Sequence, residues 1–438
     1  MHFGIGNIVF LVIFAIGVGY FTMNVRKLMR NVKLGKEIDR SDNKSARWKN
    51  MAMVALGQSK MVTRPIAGLL HIIVYIGFII INIEVLEIVI DGIFGTHRIF
   101  QPILGNAVYG FLIGTFEILA VLVLVSVIIF WLRRNVIKLQ RFMKSEMKGW
   151  PKSDGNIILY FEVVLMTLFL TMNATDISFQ EAGVGNWISG PFASVFGDNA
   201  DTLHIIERGA WWLHIVGILI FLNYLYFSKH LHILLAFPNT FYANLKPKGE
   251  FNNLDSVTKE VMLMMDPIAD PFAVPAEDEA ESEPEKFGAS DVADLNWVQL
   301  LNAYTCTECG RCTSECPANQ TGKKLSPRKI MMDTRDRLEE VGKNIDKNKG
   351  EFVDDGKQLL DDYITKEELW ACTSCNACVE ACPVGIDPLS IIIDMRRYLV
   401  MEQSAAPTDL NNMMSNIENN GAPWPFNQMD RLNWKDEV

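Results

Sequence analysis

The chain has 438 residues, of which 49% are apolar, and a formal net charge of −10 with a mean hydropathy of +0.14. This length allows two or three domains. The mean hydropathy is high for a soluble protein and indicates membrane segments, while the uneven, acidic charge excludes a uniformly basic nucleic-acid-binding surface.

Five apolar runs in the first half of the chain are long enough to cross a bilayer as helices. They cover about residues 4–23, 66–90, 107–132, 157–172 with its flanks, and 209–227, the last continuing to Phe237. The first run has no basic residues before it and is followed by Arg26, Lys27 and Arg30. We therefore expect an uncleaved membrane anchor rather than a signal peptide.

The loops between these runs carry positive charge on one side only. Residues 25–64 contain eleven Lys or Arg and residues 133–152 contain seven, whereas residues 91–106 and 174–208 contain one each. Cytoplasmic loops are the ones enriched in Lys and Arg. The sequence thus predicts a multi-pass protein of the inner, cytoplasmic membrane, with its N-terminus outside and its C-terminal half in the cytoplasm.

The chain divides into four parts by composition. Residues 1–245 form the predicted five-helix membrane domain, residues 246–290 an acidic, proline-rich linker, residues 291–403 an iron–sulfur domain and residues 404–438 a tail. The iron–sulfur part shows the periodicity of helices and lacks the alternating β-branched residues that are typical of strands. The predicted fold is all-α, with a five-helix transmembrane bundle followed by a cytoplasmic α-helical ferredoxin domain.

All eight cysteines lie in two copies of the pattern C-x2-C-x2-C-x3-C-P, at residues 306–317 and 372–383. In two-cluster bacterial ferredoxins this run binds [4Fe–4S] clusters, and its fourth cysteine ligates the other cluster. We therefore predict two crossed ligand sets. They are Cys306, Cys309, Cys312 and Cys382 for one cluster, and Cys372, Cys375, Cys378 and Cys316 for the other.

Two other interpretations of the cysteines are weaker. A zinc site takes two cysteine pairs around one ion and has no need of the triple spacing. Closely spaced C-x2-C pairs would strain a disulfide. Reduced, cluster-binding thiols also indicate a reducing compartment, which agrees with the cytoplasmic side assigned from the loops.

Histidines within the apolar runs indicate haem. His214 and His232 are eighteen residues apart on the predicted fifth helix, which places them on one face about 27 Å apart along its axis. His71 lies at the inner end of the second helix, at the depth of His232. A single intramembrane histidine can serve an interhelical hydrogen bond, but this matched arrangement favours a metal. We predict that His71 and His232 bind an inner haem b.

His214 is the predicted ligand of a second, outer haem, so the number of haems is one or two. The second helix offers no histidine at the depth of His214. His97, in the outer loop, is the first candidate for the sixth ligand, followed by His204 or by a haem with a single histidine. His230 is expected to face a propionate, a headgroup or a quinone.

Four glutamates also fall within the apolar runs. Carboxylates in a membrane either pair with Arg or His or handle protons for a redox carrier. The sequence leaves both roles open for Glu84, Glu87, Glu117 and Glu162.

These motifs resemble those of two known groups. The first half is similar to the nitrate reductase gamma-subunit type of di-haem cytochrome b, through residues 64–71 (RPIAGLLH), 212–214 (WLH) and 228–232 (SKHLH). The second half resembles the iron–sulfur part of heterodisulfide-reductase-like and electron-transfer-flavoprotein:quinone membrane oxidoreductases. The gamma-type second helix carries two histidines, whereas this one carries only His71.

The resemblance implies an electron-transfer subunit of a quinone-linked oxidoreductase. Electrons would pass between a cytoplasmic partner, such as an electron-transfer flavoprotein or another flavin dehydrogenase, and a quinone in the bilayer, through two [4Fe–4S] clusters and haem b. The alternatives are a quinol-linked disulfide reductase module and a haem-free, membrane-tethered ferredoxin. The direction of flow, the donor and the quinone type stay open.

Relatives of this kind continue into cysteine-rich CCG domains, for which this chain has no cysteines to spare. We expect a separate CCG-domain iron–sulfur protein to supply that part. The tail carries Trp424 between Pro423 and Pro425, and Trp434 nearer its end. These tryptophans either pack back on the ferredoxin domain or dock the partner, since exposed Trp is typical of interface hot spots.

Overall fold

The computed structural model describes residues 4–266 and 286–436. Within those ranges the fold is helical, and only isolated bridge pairs occur in place of strands, at Lys36 with Asn296 and at Leu360 with Ile364. The all-α prediction is confirmed. Residues 267–285 of the predicted linker lie outside the described part of the chain.

The first half contains nine helices within residues 4–241. They are α1 Ile5–Val32, α2 Lys44–Met51, α3 Pro65–Phe94, α4 Phe100–Asn135, α5 Trp150–Thr175, α6 Ile177–Ala182, α7 Ser189–Ala193, α8 Ala200–Tyr224 and α9 His232–Phe241. Five of them, α1, α3, α4, α5 and α8, are long and apolar enough to cross a membrane, as predicted.

The five long helices close into a ring. Helix α1 packs against α3 and α8, α4 packs against α3 and α5, and α5 packs against α8. Successive long helices run in opposite directions along the chain, so the loops that connect them lie at two ends of the bundle. We call the end that touches the iron–sulfur part the junction end and the opposite one the far end.

The fifth spanning helix is shorter than predicted, which corrects the placement of His232. Helix α8 ends at Tyr224, a turn follows at Leu225–Phe227, and Ser228 is extended with ψ 147°. The carboxylate of Asp154 on α5 accepts hydrogen bonds from the hydroxyls of Tyr224 and Ser228, both at 2.6 Å. His232 therefore begins a separate helix, α9, and does not share a helical face with His214.

The second half of the described chain is built from shorter helices. They are α10 Asp255–Met265, α11 Trp297–Thr305, α12 Arg311–Glu315, α13 Pro317–Gln320, α14 Pro327–Lys347, α15 Leu359–Asp362, α16 Lys366–Trp370, α17 Ala377–Ala381, α18 Pro388–Arg397 and α19 Thr408–Asn420. Helix α14 packs on α11 and α18, and α12 packs on α17. Helix α10 lies inside the segment predicted as linker.

The iron–sulfur part is fixed to the membrane bundle by buried polar contacts. The side-chain amide of Asn31 on α1 donates to the hydroxyl of Tyr304 at 2.9 Å. The amide of Asn239 on α9 donates to the carbonyl of Val384 at 2.8 Å. Buried hydrogen bonds of this kind require one relative placement of their partners, so the two parts meet along a defined surface.

Candidate metal centre

The two cysteine runs fold into the same local structure. In the first run the second and fourth residues after Cys306 have positive φ, 53° at Glu308 and 71° at Gly310. The second run repeats this after Cys372, with 55° at Ser374 and 59° at Asn376. Positive φ is uncommon outside glycine. Its repetition at matched positions shows that both loops wrap their thiols in the same way.

Packing of α12 on α17 brings the fourth cysteine of each run beside the other run. Cys312 interacts electrostatically with Cys306, Cys309 and Cys382, the other members of its predicted set, and also with Cys378 of the second run. All five line one cavity. Cys372 interacts in the same way with Cys316 and Cys375. The donors at each place are thiols from both runs, which fits a [4Fe–4S] cluster.

Neither weaker interpretation of the cysteines finds support. All eight are free thiols in the structure. Within residues 4–266 and 286–436 no three His, Cys, Asp or Glu side chains are close enough together to hold a single metal ion. Four thiolates around a cubic cluster are farther apart than the roughly 4 Å spacing around one tetrahedral zinc ion.

Burial makes these thiols reluctant to ionise without a metal. It raises the pKa of Cys306 to about 12 and that of Cys382 to about 11. Since iron binds the thiolate, cluster assembly must release these protons. The backbone N–H of Ile386 already points at the Cys382 sulfur at 3.3 Å, and that of Ser374 at the Cys372 sulfur at 3.4 Å.

A buried ion-pair cluster joins the first cysteine run to the junction end. The Glu308 carboxylate accepts hydrogen bonds from Lys229, between α8 and α9, and from Arg335 on α14 at 2.8 Å. Burial alone would raise the pKa of Glu308, but these two cations hold it below its usual value. Sequence reasoning missed this group, although Glu308 lies within the cysteine run.

Two of the predicted haem ligands meet at the junction end. The ring centroids of His71 on α3 and His232 on α9 are 6.4 Å apart. Two imidazoles on opposite sides of one metal, with metal–nitrogen bonds of about 2 Å, would be about 6 Å apart. His232 Nδ1 lies 3.0 Å from the Lys229 carbonyl oxygen, whereas His71 Nδ1 is buried without a partner. The pair fits bis-histidine ligation of one haem iron.

His214 and His97 are not brought together. His214 is 2% exposed on α8, with the Phe169 ring 6.3 Å away and its Nδ1 atom free of hydrogen bonds. His97 is half exposed in the far-end loop, and its Nε2 atom lies 3.2 Å from the Asp176 carboxylate. No described ring contact joins the two. His230 packs between His232 and Phe221, 5.5 Å from each.

Three of the four intramembrane glutamates belong to a network at the far end. Arg98 donates to the Asp176 carboxylate at 2.7 Å, to the Tyr109 hydroxyl and to the Asn173 side chain. Tyr109 donates to Glu87, and Asn173 donates to Glu117. Glu84 lies close enough to interact with Arg98, while Glu162 has no such partner. In the sequence, Arg98 counted only as the single Lys or Arg of residues 91–106, which helped to assign the orientation of the bundle. A lone arginine between two apolar runs was the signal that could have identified this network.

Comparison with known proteins agrees with this geometry. Residues 305–386 match the 4Fe-4S dicluster domain family. The chain is 29% identical to the probable iron-sulfur-binding oxidoreductase FadF of Bacillus subtilis, over 98% of the chain and 61% of that protein. It is 27% identical to the EtfAB:quinone oxidoreductase of Syntrophomonas wolfei, over 97% of the chain and 59% of that protein.

A shorter match covers the iron–sulfur part. One polypeptide of the ferredoxin/F(420)H(2)-dependent CoB-CoM heterodisulfide reductase of Methanosarcina acetivorans is 34% identical over 27% of the chain and 60% of that polypeptide. The chain spans about 60% of the length of the first two relatives. No solved structure matches it significantly.

This membrane protein carries a 4Fe-4S dicluster domain and is homologous to the iron–sulfur oxidoreductases.

Proposed function

We propose that this chain passes electrons between a cytoplasmic redox partner and the quinone pool. Two [4Fe–4S] clusters and a haem b would supply the one-electron carriers, held by the two crossed cysteine sets and by His71 with His232. The membrane domain of residues 1–245, the linker of 246–290, the ferredoxin domain of 291–403 and the tail of 404–438 are the proposed working parts. The observation that carries the proposal is that Lys229 links the two sites, since its side chain binds Glu308 of the first cysteine run and its carbonyl oxygen faces His232 Nδ1.

Arg311, which lies within the first cysteine run, provides a second link. Its guanidinium donates to the carbonyl oxygen of Lys60 at 3.0 Å and interacts electrostatically with His71, Cys309 and Cys382. Arg311 therefore lies near proposed ligands of both a cluster and the haem. In the second run Cys375 is exposed, so we propose that the solvent-facing set exchanges electrons with the partner.

Names of the relatives support the donor and acceptor. One relative is called an EtfAB:quinone oxidoreductase, and we propose the same pair of substrates here, an electron-transfer flavoprotein or another flavin dehydrogenase and a quinone. The proposed orientation puts the cysteine runs in the cytoplasm and the far end outside the inner membrane. His214 remains the proposed ligand of a second haem. The position of His97 on Asp176 favours a haem with one histidine there.

The tail is the proposed docking segment for the CCG-domain partner. Helix α19 has no buried residue, and Trp424 and Trp434 are 42% and 67% exposed. This exposure supports a docking role over the alternative in which both tryptophans pack back on the ferredoxin domain. Exposed Trp of this kind is typical of binding hot spots.

The similarity to a heterodisulfide reductase polypeptide supports a second candidate. A quinol-linked disulfide reductase would use the same carriers with electrons flowing outward from the membrane. The two differ in the partner, which would present a flavin in the first case and a disulfide-reducing cluster in the second. Proteins that co-purify with the full chain distinguish them.

The experiment is a spectroscopic titration of the purified protein in lipid nanodiscs. We expect haem b by the pyridine haemochrome assay and its reduction by a flavoprotein donor, followed by quinone reduction. His71→Ala and His232→Ala should each remove the same haem, and His214→Ala a different one. Unchanged haem content in all three variants would contradict the cytochrome function and leave a membrane-tethered ferredoxin.

A further inference from the structure

A groove that no proposed function uses lies at the junction end, where α3 begins and α4 ends. It has a volume of about 560 Å³, within the range of small-molecule sites. Three of its ten lining residues are arginines, namely Arg64, Arg133 and Arg141. Such a concentration of guanidinium groups on one groove points to an anionic ligand.

The positive charge of this groove is largely uncompensated. Arg64 pairs with Glu315 at 2.8 Å, whereas Arg133 and Arg141 have no ion pair with any carboxylate in the described ranges. The Arg141 Nε atom is buried without a hydrogen-bond partner. Burial lowers the pKa of Arg141 to about 10; Cys309 opposes that shift, and Arg64, Arg311 and Arg133 add to it. The cation stays charged at neutral pH and has no carboxylate counter-ion among the described residues.

The backbone adds donors to the same groove. Pro65, Ile66 and Ala67, the first turn of the 30-residue helix α3, line it. Pro65 has no N–H group, but those of Ile66 and Ala67 in this first turn have no intrahelical acceptor, and Arg64 at the N-cap provides no side-chain cap. A helix N-terminus attracts anions through these groups and through its dipole. The arginines and the helix end therefore favour the same ligand.

The surroundings distinguish a lipid from a soluble anion. Ile66 and Leu139 form apolar walls of the groove. Beside it, exposed apolar side chains continue along the ends of the two helices, at Leu69 on α3 and at Val136 and Ile137 just after α4. A phosphate held by the arginines would thus have an apolar surface for acyl chains next to it. A free phosphate would have no use for that surface.

We propose that this groove binds the phosphate of an anionic phospholipid. The lipid headgroup supplies the counter-charge for Arg133 and Arg141, and its acyl chains cover the exposed apolar ends of α3 and α4. Basic pockets between membrane helices on the cytoplasmic side are the usual binding places for anionic lipids. The site adjoins the first cysteine run, because Arg141 packs against Gly310. The two are so close that a Cβ atom at position 310 would lie 3.4 Å from the Arg141 side chain.

The test compares two double variants that remove the same charge from the same segment. Arg133→Gln with Arg141→Gln alters the groove. Lys138→Gln with Lys148→Gln is the matched control, because both lysines are exposed and neither lines the groove. Full-length protein is placed in phosphatidylcholine nanodiscs containing a small fraction of phosphatidylglycerol, and the lipid retained per chain is measured by native mass spectrometry.

We expect the wild type and the lysine variant to retain phosphatidylglycerol selectively. The arginine variant should lose that selectivity by at least about tenfold, which corresponds to 1.4 kcal/mol. Equal loss in both variants would overturn the proposal, because diffuse surface charge would then explain retention. Haem loss without lipid loss in the arginine variant would also overturn it, since the arginines would then serve a haem propionate.

A competition on the wild-type protein keeps the test decisive if the arginine variant does not fold. Added phosphatidylglycerol should exchange with the phosphatidylglycerol already bound to the protein. Added phosphatidylcholine and millimolar inorganic phosphate should leave the bound lipid in place. Displacement by inorganic phosphate as effective as that by phosphatidylglycerol would show a soluble-anion site and contradict the lipid proposal. None of these readouts depends on quinone reduction.

Discussion

The two ends of the membrane bundle bury polar side chains in opposite ways. At the far end the strongly polar groups bind one another, with Arg98 at the centre of contacts to Asp176, Tyr109 and Asn173. At the junction end His71 and His232 face each other, and the His71 Nδ1 atom is left without a partner. A closed network holds helices together, whereas imidazoles at metal-binding distance favour a cofactor.

The difference suggests separate roles for the ends. The far-end network joins α3, α4 and α5 through hydrogen bonds within the protein, although one Glu84 carboxylate oxygen is buried without a hydrogen-bond partner. The junction end is incomplete without the groups it would bind, and it is also where the first cysteine run packs through Glu308 and Lys229. Redox cofactors are therefore expected mainly on the side of the iron–sulfur part.

The largest effect that would sharpen this comparison is expected at Arg98. Arg98→Ala removes the one guanidinium that neutralises the buried Asp176 carboxylate, and breaking such a buried pair costs about 3–5 kcal/mol. Thermal unfolding in detergent should show this loss of stability with the haem and cluster spectra of the remaining folded protein unchanged. Retained stability in this variant would contradict a structural role for the far end.

A smaller effect is expected at Asp154, which stabilises the break after α8. Asp154→Asn keeps the size of the side chain but weakens its bonds to Tyr224 and Ser228, at about 1–3 kcal/mol. Because the break positions His232, the same substitution should change the optical spectrum of the inner haem. A normal spectrum together with reduced stability would show that His232 is positioned by something else.

The smallest effect is the pH dependence of the far end. Burial would raise the pKa of Asp176, but His97 and Arg98 hold it below its usual value. A depressed carboxyl pKa contributes stability that is complete above the unfolded value of about 3.9 and is lost as the pH falls further. Wild-type protein should therefore lose stability below about pH 4, and Asp176→Asn should flatten this part of the stability profile measured by thermal unfolding.

The elements that depend on local sequence were predictable. Five apolar runs became five long helices, since length and hydropathy alone decide whether a helix can span a bilayer. The cysteine runs likewise follow from spacing, because three thiols within seven residues can surround one cluster only in a tight loop. The positive φ angles of Glu308 and Ser374 could not be predicted from the sequence, since neither residue type favours that conformation.

Features that depend on distant residues escaped the sequence. The apolar run through residues 209–237 has no Pro or Gly near Ser228, so helical periodicity continued it to Phe237. The break depends on Asp154, far away in the chain and on another helix. Burial of Arg98 depends in the same way on Asp176 and Asn173 of α5 and its end. Only tertiary structure shows such contacts.

The most direct test of the account is EPR spectroscopy of the reduced protein with single cysteine variants. The crossed ligand sets predict that Cys382→Ser perturbs the same cluster signal as Cys306→Ser, and that Cys316→Ser perturbs the same signal as Cys372→Ser. In the proposed path, the cluster altered in Cys382→Ser passes electrons to the haem held by His71 and His232, so that variant should also slow haem reduction by an external donor. If Cys316→Ser instead altered only the signal lost in Cys306→Ser, the ligand sets would not be crossed and the account would be contradicted.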